Sequence, residues 1–248
     1  MMEFRPITYS IEEDGAVIRI VIDNPELKNG LDWVAMEILC EAYEKAITDR
    51  NVKCVLICGN GRYWHTGGRV NAKDPEEQKK YSDNLRRMQE LQDQLTVPII
   101  AAVNGDCLKG GMGLLAEADL AVAREDVQFG FPELRMGGVP MVVMADTISM
   151  PKKRSLEAYY SSNYFSAQDA LQMGLVNRVV SEEDFWPTVS EFVHMVIDKP
   201  RNLIEMTREA YYTMVEMPSR AERTAWALET LRNRVLKAME TGKTEHNV

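Results

Sequence analysis

Two uninterrupted apolar runs constrain the fold of this chain most strongly. They are residues 52–59 (VKCVLICG) and 97–105 (VPIIAAVNG), and a charged amphipathic stretch at residues 76–94 separates them. A continuous apolar run of this length is typical of a strand buried on both faces, and apolar groups at helical spacing predict a helix. A strand, a helix and another strand with a long connection form the crossover of a parallel sheet. The sequence therefore predicts an α/β fold with a largely parallel sheet.

Other segments extend this prediction in both directions. Residues 7–23 contain two β-rich runs around Glu13-Asp14-Gly15, which predicts a hairpin. Apolar residues at helical spacing predict a helix over 33–49, and the C-terminal third contains three more such stretches. We expect a β/α core over residues 1–195 and a helical region over 196–248. The remaining predicted elements are short strands at 118–123, 127–131 and 175–180, a short helix from 110 to 117, and C-terminal helices at 182–198, 201–216 and 219–240.

Composition excludes several classes of function. The net charge is -9 and no basic face is evident, so non-specific nucleic-acid binding is not expected. No signal peptide and no apolar run of membrane-spanning length are present, which favours a cytoplasmic protein. The four cysteines contain no CxxC pair and the three histidines cannot form a His-rich site, so we expect reduced thiols and no metal.

Two glycine pairs that follow the apolar runs are the strongest candidates for chemistry. They are Gly67-Gly68 and Gly110-Gly111. Glycine lets backbone N–H groups approach a ligand closely, and two such donors aimed at one point form an oxyanion hole. Taken alone, the same pairs are equally typical of turns and of helix–sheet packing.

Six segments in register resemble the enoyl-CoA hydratase/isomerase (crotonase) family along nearly the whole chain. The resemblance implies a spiral of ββα units with a C-terminal helical trimerisation region, assembled as trimers or dimers of trimers. It implies a substrate that is an acyl thioester of coenzyme A or of an acyl carrier protein, and no further cofactor. The segments are NPELKNGL (24–31), CVLICGNGRYWHTGGR (54–69), VPIIAAVNG (97–105), GGMGLLAEAD (110–119), FGFPELRMG (129–137) and ALQMGLVNRVV (170–180).

The resemblance also assigns residues. It places the two oxyanion N–H groups on Gly68 and Gly110. Further residues are expected near the substrate: His65 near the thioester, Met136 in the apolar surround of Glu133, and Met141 at the acyl pocket. The loop residues Arg69, Val70 and Asn71 are expected along the coenzyme A moiety, and Leu27, Lys28 and Gly30 near the pantetheine and adenine.

The acid/base position departs from the family's hydratases, which use two glutamates. One of those positions is Gly113 here, whereas the other is present as Glu133. A single carboxylate suffices to move a proton between two carbons, so the sequence favours an isomerase with Glu133 as the shuttle. Neighbouring apolar residues, among them Phe129 and Phe131, are expected to raise its pKa. Glu117, one helical turn beyond Gly113, could replace the missing carboxylate.

Three alternatives remain open from the sequence. One is a decarboxylase of a glutaconyl-type thioester, in which Arg69 or His65 holds the carboxylate and protonates the product. Another is a hydratase that pairs Glu133 with an unorthodox partner. The third is a non-catalytic acyl-CoA-binding protein. Bulky residues at Met141-Val142-Val143-Met144 replace a glycine-rich turn of the family, so we expect a reshaped acyl pocket.

Overall fold

A computed structural model of the chain describes residues 6–71 and 73–240, with the side chains of 235–240 excepted. Strands and helices alternate through most of the chain and helices dominate its last third. In chain order the elements are β1 (Ile7–Glu12), β2 (Val17–Ile22), α1 (Trp33–Thr48), β3 (Cys54–Gly59), β4 (Tyr63–His65), α2 (Pro75–Gln94), β5 (Ile99–Val103), β6 (Asp106–Leu108), α3 (Gly110–Ala116), β7 (Leu120–Arg124), β8 (Gln128–Gly130), α4 (Met141–Asp146), α5 (Lys152–Ser161), β9 (Tyr164–Ser166), α6 (Ala167–Gln172), β10 (Arg178–Val180), α7 (Glu182–Ile197), α8 (Arg201–Val215) and α9 (Arg220–Glu240).

The larger sheet has the strand order β1-β2-β3-β5-β7-β10. The hairpin β1–β2 is antiparallel, with Ile7 opposite Ile22. The neighbouring pairs from β2 to β10 are all parallel. The predicted α/β fold with a largely parallel sheet is therefore confirmed.

A second, smaller sheet was not predicted from the sequence. It has the order β4-β6-β8-β9, with β4, β6 and β8 parallel and β9 antiparallel to β8. Each of its strands has three residues, which is too short for an alternating pattern to be recognised. The polar, glycine-bearing segment 60–77 is predicted as a loop, and it contains strand β4.

Apolar side chains cover both faces of the larger sheet. On one face Ile18, Ile20 and Ile57 pack with α1, and on the other Leu56 and Ile100 pack with α7. The four cysteines are buried and unbonded to one another, as expected. The three predicted C-terminal helices are confirmed, and the domain boundary after residue 195 stays a prediction. Residues 241–248 of the predicted helical region lie outside the described residues.

Capping residues determine where the two helices beside the site begin. The Asp32 carboxylate accepts a hydrogen bond from Ala35 N, and the Asp74 carboxylate accepts from Glu76 N and Glu77 N. Such caps satisfy N–H groups that have no partner within the helix. Within the described residues, no helix is both long and apolar enough to cross a membrane.

Candidate active site

The predicted oxyanion glycines and Glu133 all follow parallel strands of the small sheet. Gly68 comes three residues after β4, Gly110 two residues after β6, and Glu133 three residues after β8. Because the carboxyl ends of parallel strands meet at one edge of a sheet, the three segments converge there. Of these three strands, β8 lies within the predicted strand 127–131, whereas β4 and β6 were not predicted from the sequence.

The two glycine loops are in direct contact. A Cβ atom placed on Gly110 would lie 2.9 Å from Gly67 Cα and 3.5 Å from Gly68 N. Gly67 has φ +88°, a conformation that favours glycine. No hydrogen-bond acceptor is recorded for the N–H of Gly68 or Gly110 among the described residues. Two neighbouring N–H donors without partners are what an oxyanion hole requires.

Hydrogen bonds on both sides of Gly68 hold its loop in place. Leu31 N donates to Gly67 O at 3.0 Å, and Arg69 N donates to Leu31 O at 2.7 Å. The Thr66 hydroxyl donates to Lys28 O at 2.8 Å. These bonds use the groups that flank Gly68 and leave its own N–H available, so the loop is preorganised for a ligand.

A cavity of about 340 Å³ lies beside these amides. Its walls are mostly apolar and come from α1, α2, α3 and α4. Of the predicted substrate-binding residues, Val70, His65 and Met141 line it. Further lining residues are Gly68, Tyr81, Lys109, Gly110, Gly113, Glu117, Glu133, Val142 and Asp146.

Glu133 is a half-buried acid in this cavity. Its Oε2 atom is buried and has no hydrogen-bond partner among the described residues, and its side chain does not cap the short turn that follows. Burial raises the pKa of Glu133, while Lys109 opposes the shift. The predicted direction is therefore confirmed, and this carboxyl can hold a proton nearer neutral pH than an exposed glutamate.

A second carboxylate occupies the space next to Gly113. A Cβ atom placed on Gly113 would overlap Asp146 Oδ2 and lie 3.4 Å from Asp146 Cγ. Asp146 is the last residue of α4, and burial raises its pKa to about 6. The sequence pointed to Glu133, with Glu117 as a possible second carboxylate, and α4 adds Asp146 at the place where residue 113 has no side chain.

Glu117 is a third carboxylate in the cavity. It immediately follows α3, and burial together with the charge of Asp146 raises its pKa to about 7. Among the described residues, burial and neighbouring charges shift its pKa, with no hydrogen bond to the carboxylate. Its position in the cavity agrees with the sequence hypothesis that it contributes to the site.

His65 lines the cavity as a buried, neutral side chain. Its Nδ1 lies 2.7 Å from the carbonyl oxygen of Asn29, which can only accept, so Nδ1 carries the hydrogen. Burial lowers the pKa of His65 to about 4. At neutral pH the ring therefore has no positive charge to offer a substrate carboxylate.

A neighbouring groove, beside the glycine loops, is lined by cationic side chains. The lining residues include four cationic side chains and the single carboxylate of Glu26. This positive surface contrasts with the net charge of -9 for the chain and suits phosphate groups. The predicted residues Leu27, Lys28, Arg69 and Met136 line the groove, as do Lys109 and Arg135.

Three predicted residues have mainly structural contacts. A Cβ atom on Gly30 would lie 2.5 Å from Arg69 Nε, so Gly30 makes room for that side chain. Arg69 in turn donates to Leu27 O and to the Thr66 hydroxyl and braces the loop. Asn71 N donates to Glu77 Oε1, and Asn71 lines neither the cavity nor the groove.

Sequence reasoning missed Asp146 and Tyr81, which both line the cavity. Asp146 lies 33 positions beyond Gly113, so no local spacing connects them. Tyr81 lies within α2, where an isolated aromatic residue is typical of a helix packing face. Only the tertiary contact of Tyr81 with Gly68 identifies it.

Comparisons with known proteins agree with this geometry. The sequence model described as enoyl-CoA hydratase/isomerase matches residues 12–239. Enoyl-CoA hydratase domain-containing protein 3, mitochondrial, of Xenopus laevis is 26% identical over 85% of this chain and 73% of its own length. Carnitinyl-CoA dehydratase of Salmonella paratyphi A is 28% identical over 84% of this chain and 81% of its own.

A solved structure supports the fold. The crystal structure of an enoyl-CoA hydratase of Mycobacterium smegmatis has a TM-score of 0.85 and 23% identity, covering 97% of this chain and 98% of its own. The expected cytoplasmic location stays a prediction, since the frog relative is named as mitochondrial. The family match spans most of the chain and includes the glycine loops, Glu133 and the helices around the cavity. The chain therefore belongs to the enoyl-CoA hydratase/isomerase (crotonase) family of acyl-CoA enzymes.

Proposed function

We propose that this enzyme adds water to an enoyl-CoA, or removes water from the corresponding β-hydroxyacyl-CoA. The observation that carries the proposal is the presence of Asp146 and Glu133 in the cavity beside the Gly68 and Gly110 amides. Addition of water requires one group to take a proton from water and another to give a proton to carbon. Two carboxylates with raised pKa values meet this requirement.

In the proposed reaction, Asp146 and Glu133 act in turn. Asp146, with a pKa of about 6, is mostly ionised at neutral pH and accepts a proton from water while the water oxygen bonds to the β carbon. The negative charge moves to the thioester oxygen, where the Gly68 and Gly110 N–H groups stabilise it. Glu133 then donates its proton to the α carbon. Passage of a proton from Asp146 to Glu133 through water resets the site.

Isomerisation of an enoyl-CoA is the second candidate function, and it would require only Glu133. The specific observation in its favour is the Oε2 atom of Glu133, which is buried and without a recorded partner in the described part of the chain. An isomerase leaves Asp146, whose pKa is also raised, without a role. The names of the relatives, a dehydratase and a hydratase-domain protein, also support water chemistry more than isomerisation.

The site gives less support to a decarboxylase. In that alternative, Arg69 or His65 would hold the substrate carboxylate. Arg69 braces the loop outside the cavity wall, and His65 is neutral because its pKa is about 4. Three carboxylates line the cavity, and they would repel an anionic acyl group.

The test is to incubate the protein with a panel of enoyl-CoA and β-hydroxyacyl-CoA thioesters in oxygen-18 water. Mass spectrometry should detect a gain of one water that carries the label. Asp146→Asn and Glu133→Gln should each lower the rate on the order of 100-fold or more. Double-bond migration without label, lost only in Glu133→Gln, would instead establish the isomerase. Loss of carbon dioxide would establish the decarboxylase, and binding without any product would contradict catalysis.

We further propose that the substrate is a coenzyme A thioester and that the protein assembles as a trimer or a dimer of trimers. The cationic groove supports the first point, because a carrier protein lacks the adenosine phosphates. Exposed apolar residues on α8 and α9, Tyr211, Val215, Leu228 and Leu231, support the second. Light scattering of the purified protein would test the assembly.

A further inference from the structure

Tyr81 places an aromatic hydroxyl directly over one of the two oxyanion glycines. A Cβ atom placed on Gly68 would overlap the Tyr81 hydroxyl oxygen and would lie 2.8 Å from ring carbon Cε2. Since a carbon–carbon bond is about 1.5 Å long, the hydroxyl contacts Gly68 Cα. The hydroxyl is therefore a close neighbour of the Gly68 amide.

The hydroxyl is available to a ligand. No hydrogen bond of Tyr81 is recorded among the described residues, and the side chain lines the same cavity as Gly68 and Gly110. A phenolic hydroxyl that contacts a ligand cavity and has no protein partner can donate to a ligand. Burial raises the pKa of Tyr81, which keeps the proton on the oxygen at neutral pH.

Contacts between α2 and α1 fix the helix that carries Tyr81. Asn84 Nδ2 donates to Trp33 O at 2.9 Å, and Lys80 Nζ lies 4.8 Å from the centre of the Trp33 indole. The Asp74 cap fixes the start of the same helix. A donor held in this way needs little rearrangement when charge develops on a nearby oxygen.

We propose that Tyr81 is a catalytic residue that donates a third hydrogen bond to the thioester oxygen, beside the N–H groups of Gly68 and Gly110. The proposal also gives a reason for glycine at position 68, because a methyl group there would displace the hydroxyl. The inference rests on the thioester-binding part of the proposed function. It is independent of whether water, a proton or carbon dioxide is transferred afterwards.

Infrared spectroscopy of butyryl-CoA labelled with carbon-13 at the thioester carbonyl tests the proposal. This saturated thioester has no double bond to react, so the measurement remains informative even if the enzyme does not add water. Binding to the unaltered protein should move the carbonyl stretch to lower frequency. Tyr81→Phe should reduce that shift while the dissociation constant changes by less than about tenfold. A ring-fluorinated tyrosine at position 81, which is a stronger donor, should enlarge it.

Measurement of kcat provides a second test of the proposal. Tyr81→Phe should lower kcat on the order of 100-fold, whereas Tyr160→Phe, a matched change at an exposed tyrosine of α5, should not. Thermal melting of both variants would establish that they are folded. An unchanged carbonyl shift in Tyr81→Phe would overturn the proposal, even if turnover fell, because Tyr81 would then act by packing alone. An unchanged shift with the fluorinated ring would also overturn it.

Discussion

Asp146 Oδ2 lies in the space into which a side chain at Gly113 would grow. The two residues belong to different helices, α4 and α3, and α3 carries the Gly110 amide at its start. Gly113 is one turn along α3 from Gly110. The carboxylate of Asp146 is therefore close to the place where the resemblance would put one of a hydratase's two glutamates.

This relationship predicts that a carboxylate at position 113 can replace the carboxylate of Asp146. Asp146→Ala should lower the hydration rate on the order of 100-fold or more. Adding Gly113→Glu should restore at least a tenfold part of that loss, because the removed carboxylate leaves room for the new one. Initial rates with an enoyl-CoA would measure the effect. Gly113→Gln in the same Asp146→Ala background provides the matched control, and equal rates for Glu and Gln at position 113 would contradict the prediction.

Glu133→Gln should lower activity without lowering stability. The variant should lose turnover because no group remains to protonate the α carbon. Its melting temperature at pH 8 should be equal to or above that of the unaltered protein, because burial disfavours the charged carboxylate and the positive charge of Lys109 offsets that penalty only in part. Calorimetry of Glu133→Gln beside the exposed control Glu125→Gln would measure this. A clear fall in melting temperature for Glu133→Gln alone would indicate a structural role instead.

Glu117 should make stability depend on pH. Its pKa is raised to about 7 in the folded state, so the folded protein binds this proton more tightly than the unfolded chain does. The free energy of unfolding should therefore decrease as pH rises from the usual glutamate range to about 7. In Glu117→Gln this decrease should be smaller. Denaturant unfolding of both proteins from pH 5 to 8 would measure the difference, with Glu90→Gln on the exposed side of α2 as the control; identical slopes would refute the assignment.

Gly68→Ala should abolish most turnover. The added methyl group would overlap the Tyr81 hydroxyl and would have to displace either the ring or the loop that holds the Gly68 amide. We expect a loss on the order of 100-fold. Gly138→Ala is a suitable control, because a Cβ atom there would meet only Glu133 O at 3.7 Å. Rates with one enoyl-CoA would compare them, and nearly equal activity would show that the Gly68 loop tolerates a side chain.

Replacement of Lys28 should weaken the binding of coenzyme A thioesters but not that of smaller thioesters. Lys28→Gln removes one cation from the groove and should raise the KM for an enoyl-CoA about two- to fivefold, since an exposed charge contributes little. The KM for the corresponding pantetheine thioester, which has no adenosine phosphates, should remain unchanged. The difference should shrink as salt is added. A parallel increase in both KM values would place Lys28 near the acyl or pantetheine portion.

The sequence determined the elements that have a strong local signal. Strands β3 and β5 were predicted because each lies in a continuous apolar run, and their residues are all buried in the structure. Helices α1, α2 and those of the C-terminal third were predicted because their apolar residues recur at helical spacing. The resemblance added Gly68, Gly110 and Glu133, which converge on one edge of the small sheet. The direction of the pKa shift at Glu133 was also predictable, since its sequence neighbours include two phenylalanines that are fully buried.

Tertiary structure alone decided which side chains meet at that edge. Strands β4, β6 and β9 are too short to produce a periodic pattern, yet β4 and β6 carry the two oxyanion loops. Asp146 and Tyr81 come from α4 and α2, and neither has a spacing relationship to the glycine that it contacts. A sequence pattern reports the face of one element, whereas a catalytic constellation depends on distances between elements. The number of carboxylates in the cavity therefore became evident only once α4 was packed against α3.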